Sequence, residues 1–489
     1  MSELVNLRKG NATVTMDDVR DYLATQEKTA LIELLMQHAT ENDRFRQLLL
    51  LRAAKKSPKE IDVSTYRRAI AAAVDTGDFV EYRAAYGYAQ GIENVIDSID
   101  ELLREGHAGE VVELTEHALA EVEGAAGSVD DSDGNMGEVL ERLQELHLKA
   151  CRKAKPDPEQ LAKRLCEWEL RTDSDVFFGA AERYAKILGQ RGIAVYRRLA
   201  EAEWVKVPVL GPRRAEVGDY GRHFRITHVM ETLARQAGDV EALVAIKQRD
   251  LSLAYSYLQI AETYKAARKH DQALEWAERG VKAFPKRTDS RLREFLAGEY
   301  HRRKRHDEAM ALIWADFTES PALDRYRVLK DHADRIGRWE EWRAKAIAYL
   351  RKSIAAAGND GGNDRWPRSR RTDRSELVRI FLWERNADAA WSEAVEGGCS
   401  NDLWMDLAGK REKEHPEDAL PVYQRQIEPT LSRKNNDAYR AAVGLLRQIR
   451  ELMDRLGREA EFTRFLESVR AGHKAKRNFI KLLDHAKWG

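Results

Sequence analysis

The residues able to do chemistry in this chain are numerous but poorly spaced for it. Thirteen histidines are present, and a metal site needs several histidines or cysteines converging on one point. No His-Glu-x-x-His run occurs. The nearest pairs, His223 with His228 and His301 with His306, are five residues apart. On one continuous helix that spacing sets the side chains about 140° apart. Cys151, Cys166 and Cys399 lack ligand spacing, and a sparse, odd set offers no disulfide framework and suits a reducing compartment. Asp131-Ser132-Asp133-Gly134-Asn135 opens like a calcium loop, but Met136 replaces the required glycine and Arg142 the closing glutamate. This stretch reads as a solvated linker, and neither a metal nor another cofactor is expected.

Nucleophiles and phosphate loops fare no better. There is no Gly-x-Ser-x-Gly elbow, and Gly409-Lys410-Arg411 has no glycine-rich loop before its lysine. Gly397-Gly398-Cys399 reads as a helix C-terminal turn with a bystander thiol. The chain is expected not to be an enzyme.

Binding chemistry has more substance. Arg365, Trp366, Arg368, Arg370, Arg371 and Arg374 fall within ten residues. Lys474, Lys476 and Arg477 lie near Phe479 and Trp488 at the C-terminus. Arginine with an interleaved aromatic suits phosphates and unpaired bases, so single-stranded DNA or RNA is one candidate partner. Against this, Phe479, Ile480, Leu482 and Leu483 have the spacing of a packing face.

These groups need elements to carry them, and the composition points to helices. Charged residues make up 34% of the chain, against an average apolar share of 43%, the balance of thin helical layers with one wet face. Only 11 prolines occur in 489 residues, which favours long helical runs. The formal net charge is zero, so the whole chain is no polycation. Locally, 97–145 has 15 acids against Arg104 and Arg142, and 470–489 has six bases against Asp484. Such asymmetry reads as contact between the two stretches, as two different partners, or as two solvated faces. No run approaches 18 apolar residues and no apolar leader core follows Met1. A soluble, cytoplasmic protein without membrane contact is the expectation.

Apolar residues at three- and four-residue spacing predict helices carrying Val19, Tyr22 and Leu23, then Leu31, Leu34, Leu35 and His38, then Phe45, Leu48, Leu49 and Leu51. Thr15 and Asp18 form a capping-box start. Further helices are expected near 64–75, 78–105, 108–123 and 137–153, and from Pro158 onward. Gly124–Gly137 reads as a flexible acidic loop. The segment 206–222 reads as an irregular connection that could hold a short strand or an extended clamp.

From Ala254 a repeat begins. Tyr257, Ile260, Ala261, Tyr264, Ala273, Ala277, Gly280 and Pro285 stand at the characteristic positions of a tetratricopeptide (TPR) unit. A shift of 36 residues gives Leu296, Ala297, Tyr300, Ala309 and Pro321, with bulkier Ile313 and Asp316 at the later small positions. The turn Arg268-Lys269-His270-Asp271 answers Lys304-Arg305-His306-Asp307. Weaker turns of the same kind follow at Gly337-Arg338-Trp339, Asn386-Ala387-Asp388-Ala389 and Pro416-Glu417-Asp418-Ala419, and helices at 436–456 and 459–486 close the array.

Several runs resemble the helical region C-terminal to the finger in bacterial SWIM zinc-finger proteins: Gln26–Leu35, Ile226-Thr227-His228-Val229-Met230-Glu231, Arg249-Asp250-Leu251-Ser252, Glu417–Tyr423 and His473–Asp484. The resemblance spans about 17–486 and consists of packing motifs. The finger needs a Cys-x-Cys and a Cys-x-His, and both are missing. The resemblance therefore implies a bacterial, finger-less relative of unassigned function, with no finger residue to carry over.

The expectation is an all-α, TPR-like α-solenoid, a right-handed superhelix of antiparallel helix pairs. Its parts would be a disordered 1–16, a helical subdomain 17–205, the connection 206–222 and a repeat subdomain 223–489 with an insertion at 355–374. Its function would be that of a scaffold whose groove engages a protein partner through Tyr257, Tyr264, Arg268, Arg293, Tyr300 and Arg303. The oligomeric state is left open.

Overall fold

The structure, a computed structural model, describes residues 15–54, 61–171, 174–213, 220–286, 288–359, 373–486 and 488. Among them the regular elements are α-helices with one short 3-10 turn, and extended pairing is limited to two isolated bridges. The chain is all-α. It divides into two compact units, Met1–Ser252 and Leu253–Gly489, so the break lies beyond the connection expected at 206–222.

The first unit runs α1 (Met16–Ala24), α2 (Lys28–Glu41), α3 (Asp43–Ala54), α4 (Val63–Val74), α5 (Tyr82–Glu105), α6 (Ala108–Ala125), α7 (Asn135–Ala154), α8 (Pro158–Arg171), α9 (Ala180–Arg183), α10 (Ala185–Trp204), α11 (Tyr220–Ala237) and α12 (Val240–Lys247). The Thr15 capping box is present, with the Thr15 amide donating to the Asp18 carboxylate at 2.7 Å. Thr15 and Met16 are thus ordered, while 1–14 lie outside the described residues. One core joins Leu51 to Leu233.

Two segments of this unit are sharper than expected, one departing from its reading and one taking a stated alternative. Gly124–Gly137 is pinned, because the Val80 and Asp130 amides bond the Ser128 and Val80 carbonyls at 2.9 Å each, and Val129 is buried. The Asp131 carboxylate accepts from the Met136 amide at 2.9 Å, so this calcium-like acid serves the start of α7. The connection after α10 forms the extended clamp. Leu210 pairs with Arg249 and Leu251 at 2.8 and 2.9 Å. The Arg249 guanidinium donates to the Val207 carbonyl at 2.9 Å and the Val205 carbonyl at 3.2 Å, above the Trp204 ring. Residues 214–219 lie outside the described set.

The second unit comprises α13 (Ala254–Ala266), α14 (His270–Ala283), α15 (Ser290–Arg302), α16 (His306–Glu319), α17 (Leu323–Asp334), α18 (Trp339–Asn359), α19 (Ser375–Trp383), α20 (Ala387–Gly397), α21 (Asn401–Arg411), α22 (Pro416–Leu431), α23 (Asn436–Arg455), α24 (Glu459–Gly472) and α25 (Arg477–His485). Consecutive helices pair from α13 to α18 and from α19 to α24, α25 packs on α23, and α13 also packs on α15, α17 on α19 and α19 on α21. This is the TPR-like solenoid pattern. Its cause at the first pair is Gly280. A Cβ there would lie 2.6 Å from Tyr257 Cβ and 2.8 Å from Leu292 Cδ2, so only glycine lets α13, α14 and α15 approach this closely. One period later Arg293 and Asp316 occupy the equivalent sites and form a buried ion pair at 3.3 Å. Packing by absence of a side chain is replaced by packing through opposite charges.

The array's end is more broken than the predicted 459–486 helix. After Gly472 the chain turns, Lys476 caps α25, and Phe479 and Leu483 fold back into the core beside α23.

Candidate functional site

The turns joining the two helices of the first four pairs have a common construction. Each first helix ends in a residue at positive φ: Arg268 (61°), Lys304 (60°), Gly337 (65°) and Arg385 (60°). The next amide returns to the carbonyl five residues back, as from Lys269 to Tyr264, Arg305 to Tyr300, Arg338 to Ala333 and Asn386 to Phe381, at 2.9–3.0 Å. This closes the helix end without further help. An acid then sits in the first turn of the second helix, at Asp271, Asp307 and Asp388, where the helix dipole favours it.

Those acids also tie each turn to its neighbour. The Arg303 guanidinium donates to the Asp271 carboxylate at 2.8 Å and to the His270 carbonyl at 3.0 Å. Arg338 repeats the bridge to Asp307 at 2.9 Å, and Arg411 repeats it to Asp388. Arg455 continues the series by donating to the Glu412 and Lys413 carbonyls. The acids of these pairs are largely exposed to solvent, so each pair contributes at most about 1 kcal/mol. Their consequence is geometric: the turns line up along one edge of the second unit.

Four basic side chains project from that edge, one per turn: Arg268, Lys304, Arg335 and Arg385. All are exposed, and among the described residues none takes part in an ion pair, whereas their neighbours Arg303, Arg305, Arg338 and Arg343 all do. A cleft opens where the third and fourth turns meet, lined by Lys330, Trp339, Arg343, Trp383, Glu384 and Arg385. The Lys330 ammonium lies over the Trp339 ring and the Arg327 guanidinium over Trp383. Each of these two indoles therefore already holds a cation over one face.

The six residues expected to line a groove are differently placed. Tyr257 and Tyr264 are buried, and Tyr257 packs on Trp276 and Phe284. Arg293 is 3% exposed and also donates to Glu319 at 2.7 and 2.8 Å. Tyr300 gives its hydroxyl proton to Glu278 at 2.9 Å beneath the Arg305 guanidinium. Arg303 bridges turns. Arg268 alone of the six stands exposed without an ion pair.

The nucleic-acid candidates are scattered. Arg365, Trp366, Arg368, Arg370 and Arg371 lie outside the described residues. Arg374 is held by Glu393 and Glu396. Lys476 lies 3.1 Å from His473, and Lys474 and Arg477 are exposed. Phe479 is in the core and Trp488 packs on Phe462.

Two constellations escaped the sequence reading. In the first unit, fully buried His147 lies between Tyr184 (2.7 Å), Glu116 (3.3 Å) and Cys151 Sγ (3.6 Å), and Arg164 donates to Glu116 at 2.9 Å. His147 and Cys151, four apart on α7, share a helix face, and that spacing was visible. The set has the residue types of a thiol triad, but burial, with the Glu116 charge beside it, pushes the Cys151 thiol up to about 12. That shift opposes thiolate formation, and the set packs the core. In the second unit, His301, His306 and His332 cluster, with ring centroids 5.2 and 5.1 Å from His301. The expected 140° separation of His301 and His306 fails because the turn at Lys304 intervenes, and their Nδ1 atoms come within 2.9 Å. Burial, then Arg335 and His301, lowers the His332 pKa to about 4. Among the described residues no group of three His, Cys, Asp or Glu is arranged to hold a metal ion, and no helix is long and apolar enough to cross a membrane.

Fold and surface together define an all-α repeat protein of antiparallel helix pairs with a cationic turn edge. The chain belongs to DUF6880, a family of unknown function whose model matches residues 22–482. No curated protein matches it. Among solved structures it is similar to the human IFIT1 dimer with PPP-AAAA, at 12% identity over 84% of this chain and 95% of that one, with a TM-score of 0.21. It is also similar to yeast Tom70, at 13% identity over 94% and 96% with a TM-score of 0.23. The Cut9–Hcn1 hetero-tetramer of APC/C matches at 12% identity over 96% and 98%, with a TM-score of 0.18. Scores this low carry no argument, and the fold assignment rests on the helix packing above.

Proposed function

We propose that this chain is a non-enzymatic binding scaffold whose second unit presents its turn edge to an acidic segment of a partner protein. One observation carries the reading. Arg268, Lys304, Arg335 and Arg385 stand one per turn, the first three on turns bridged to one another, and no acid of the described residues pairs with them. Unpaired charges set one per turn suit an extended acidic peptide, whose carboxylates can meet them in succession.

The partner is placed on this edge and not in a groove lined by Tyr257, Tyr264 and Arg293, because those side chains are consumed by packing between helices. A protein partner is favoured over single-stranded nucleic acid because sequence-tolerant strand binding needs open aromatic faces. Here Trp339 and Trp383 each hold a cation over one face, and Phe479 and Trp488 are packed.

The test is fluorescence anisotropy of the whole chain with a labelled oligoglutamate and with oligodeoxythymidylate of equal charge, across a salt series. The proposal expects the peptide to bind more tightly at every salt concentration, with affinity falling as salt rises. Tighter binding of the oligonucleotide would transfer the assignment to nucleic acid.

A further inference from the structure

The first two helices break the rule that governs the rest of the chain. α1 buries no residue, and α2 buries only Ala39. Yet they carry Met16 (79% exposed), Tyr22 (59%), Ile32, Leu34, Leu35 and Met36 (58%). Nine of the eighteen large apolar side chains exposed among the described residues fall between Met16 and Leu50. An isolated helix of nine or 14 residues is marginal in water even in good sequences, so helices this short persist by burying a face. Here that face lies open.

We infer that a second copy of this chain covers α1 and α2, giving a homodimer through an apolar four-helix contact. The area fits. The eight of these side chains on α1 and α2, at roughly half exposure, present on the order of 800 Å² per copy, which is the share each partner contributes to a standard stable interface. The surface is also self-complementary. From Ala30 to Met36 the only charge is Glu33, so these two turns of α2 are mainly apolar. Such a helix is satisfied by another of the same kind, set against it by a two-fold axis. Acidic Asp17, Asp18 and Asp21 on α1 and basic Lys28 at the start of α2 leave both signs at the rim of each copy, as an isologous contact requires. This interface is independent of the turn edge proposed above.

The experiment is sedimentation equilibrium of the full chain across micromolar concentrations. The expected species has twice the 56.0 kDa chain mass. Ile32→Asp with Leu35→Asp should return the single-chain mass with an unchanged circular dichroism spectrum, since both side chains are exposed. Val205→Asp with Val209→Asp, still more exposed and outside this patch, should remain dimeric. Should the first variant lose its helical signal, Met36→Cys supplies a second reading. The native cysteines are buried or half-buried, so oxidation should link two chains through residue 36. A native chain at single-chain mass throughout, a dimer that survives both aspartates, or a Met36→Cys chain that never cross-links would overturn the inference.

Discussion

Replacing Gly280 with alanine sets two opposed effects against each other. Removing glycine from a helix interior stabilises it by up to about 1 kcal/mol. The new methyl, however, would lie 2.6 Å from Tyr257 Cβ and 2.8 Å from Leu292 Cδ2. Tyr257 Cβ is fixed to the backbone of α13 and cannot swing aside, so whole helices must part. Overpacking of that kind costs about 1–3 kcal/mol, and so rigid a neighbour puts the cost near the upper end. The net expectation is a loss of about 1–2 kcal/mol, or several degrees in Tm for a unit of this size. Gly298→Ala is the matched control: it lies inside α15 with nothing within 4 Å of its Cβ position, so it should gain up to about 1 kcal/mol. Urea denaturation followed by far-UV circular dichroism compares the two. If Gly280→Ala gained as much stability as Gly298→Ala, the close approach of α13, α14 and α15 would be refuted.

Other outcomes follow from single contacts. His332 is neutral in the fold, with a pKa lowered to about 4 against about 6.5 unfolded. As pH falls below 6.5 the unfolded chain gains a proton that the folded one refuses, so stability is full above that value and declines toward pH 4. The decline amounts to about 3 kcal/mol at its limit, and His332→Leu should flatten it in a pH series of urea midpoints. Arg249→Ala removes charge-assisted bonds to the Val205 and Val207 carbonyls, each worth about 1.5–3 kcal/mol. Hydrogen exchange should then quicken at the Leu210 and Leu251 amides. Burial pushes the thiols of Cys151, Cys166 and Cys399 up to about 12, so Ellman's reagent should find almost no reactive thiol at mildly alkaline pH until the chain is unfolded, when all three react.

Much of the fold was legible because local rules agreed with tertiary structure. The Thr15 capping box, the 254–321 helix pairs and the Gly398 turn all depend on neighbours in sequence. What escaped depended on partners far along the chain. Asp316 read as a lapse in a small-residue pattern, since its compensation, Arg293, lies 23 residues away. Arg303 read as a groove residue because its bond to Asp271 spans 32 residues. Asp130, Asp131 and Val129 read as a loose loop because Val80, which pins them, belongs to another segment. The His301–His306 contact was missed because the angle was measured along one helix, although the turn at Lys304 had already been recognised. The C-terminal break after Gly472 had only a weak local signal, its cause being the return of Phe479 to a core assembled by other helices.

The most direct test of the binding account is to change the four unpaired cations and nothing else. Arg268→Gln, Lys304→Gln, Arg335→Gln and Arg385→Gln combined should leave the helical spectrum and the unfolding midpoint unchanged, because none of these side chains makes an ion pair among the described residues. Titration with labelled oligoglutamate should then show affinity reduced by at least tenfold, about 1.4 kcal/mol. An unchanged affinity in a folded variant would contradict the proposal that the turn edge is the binding surface.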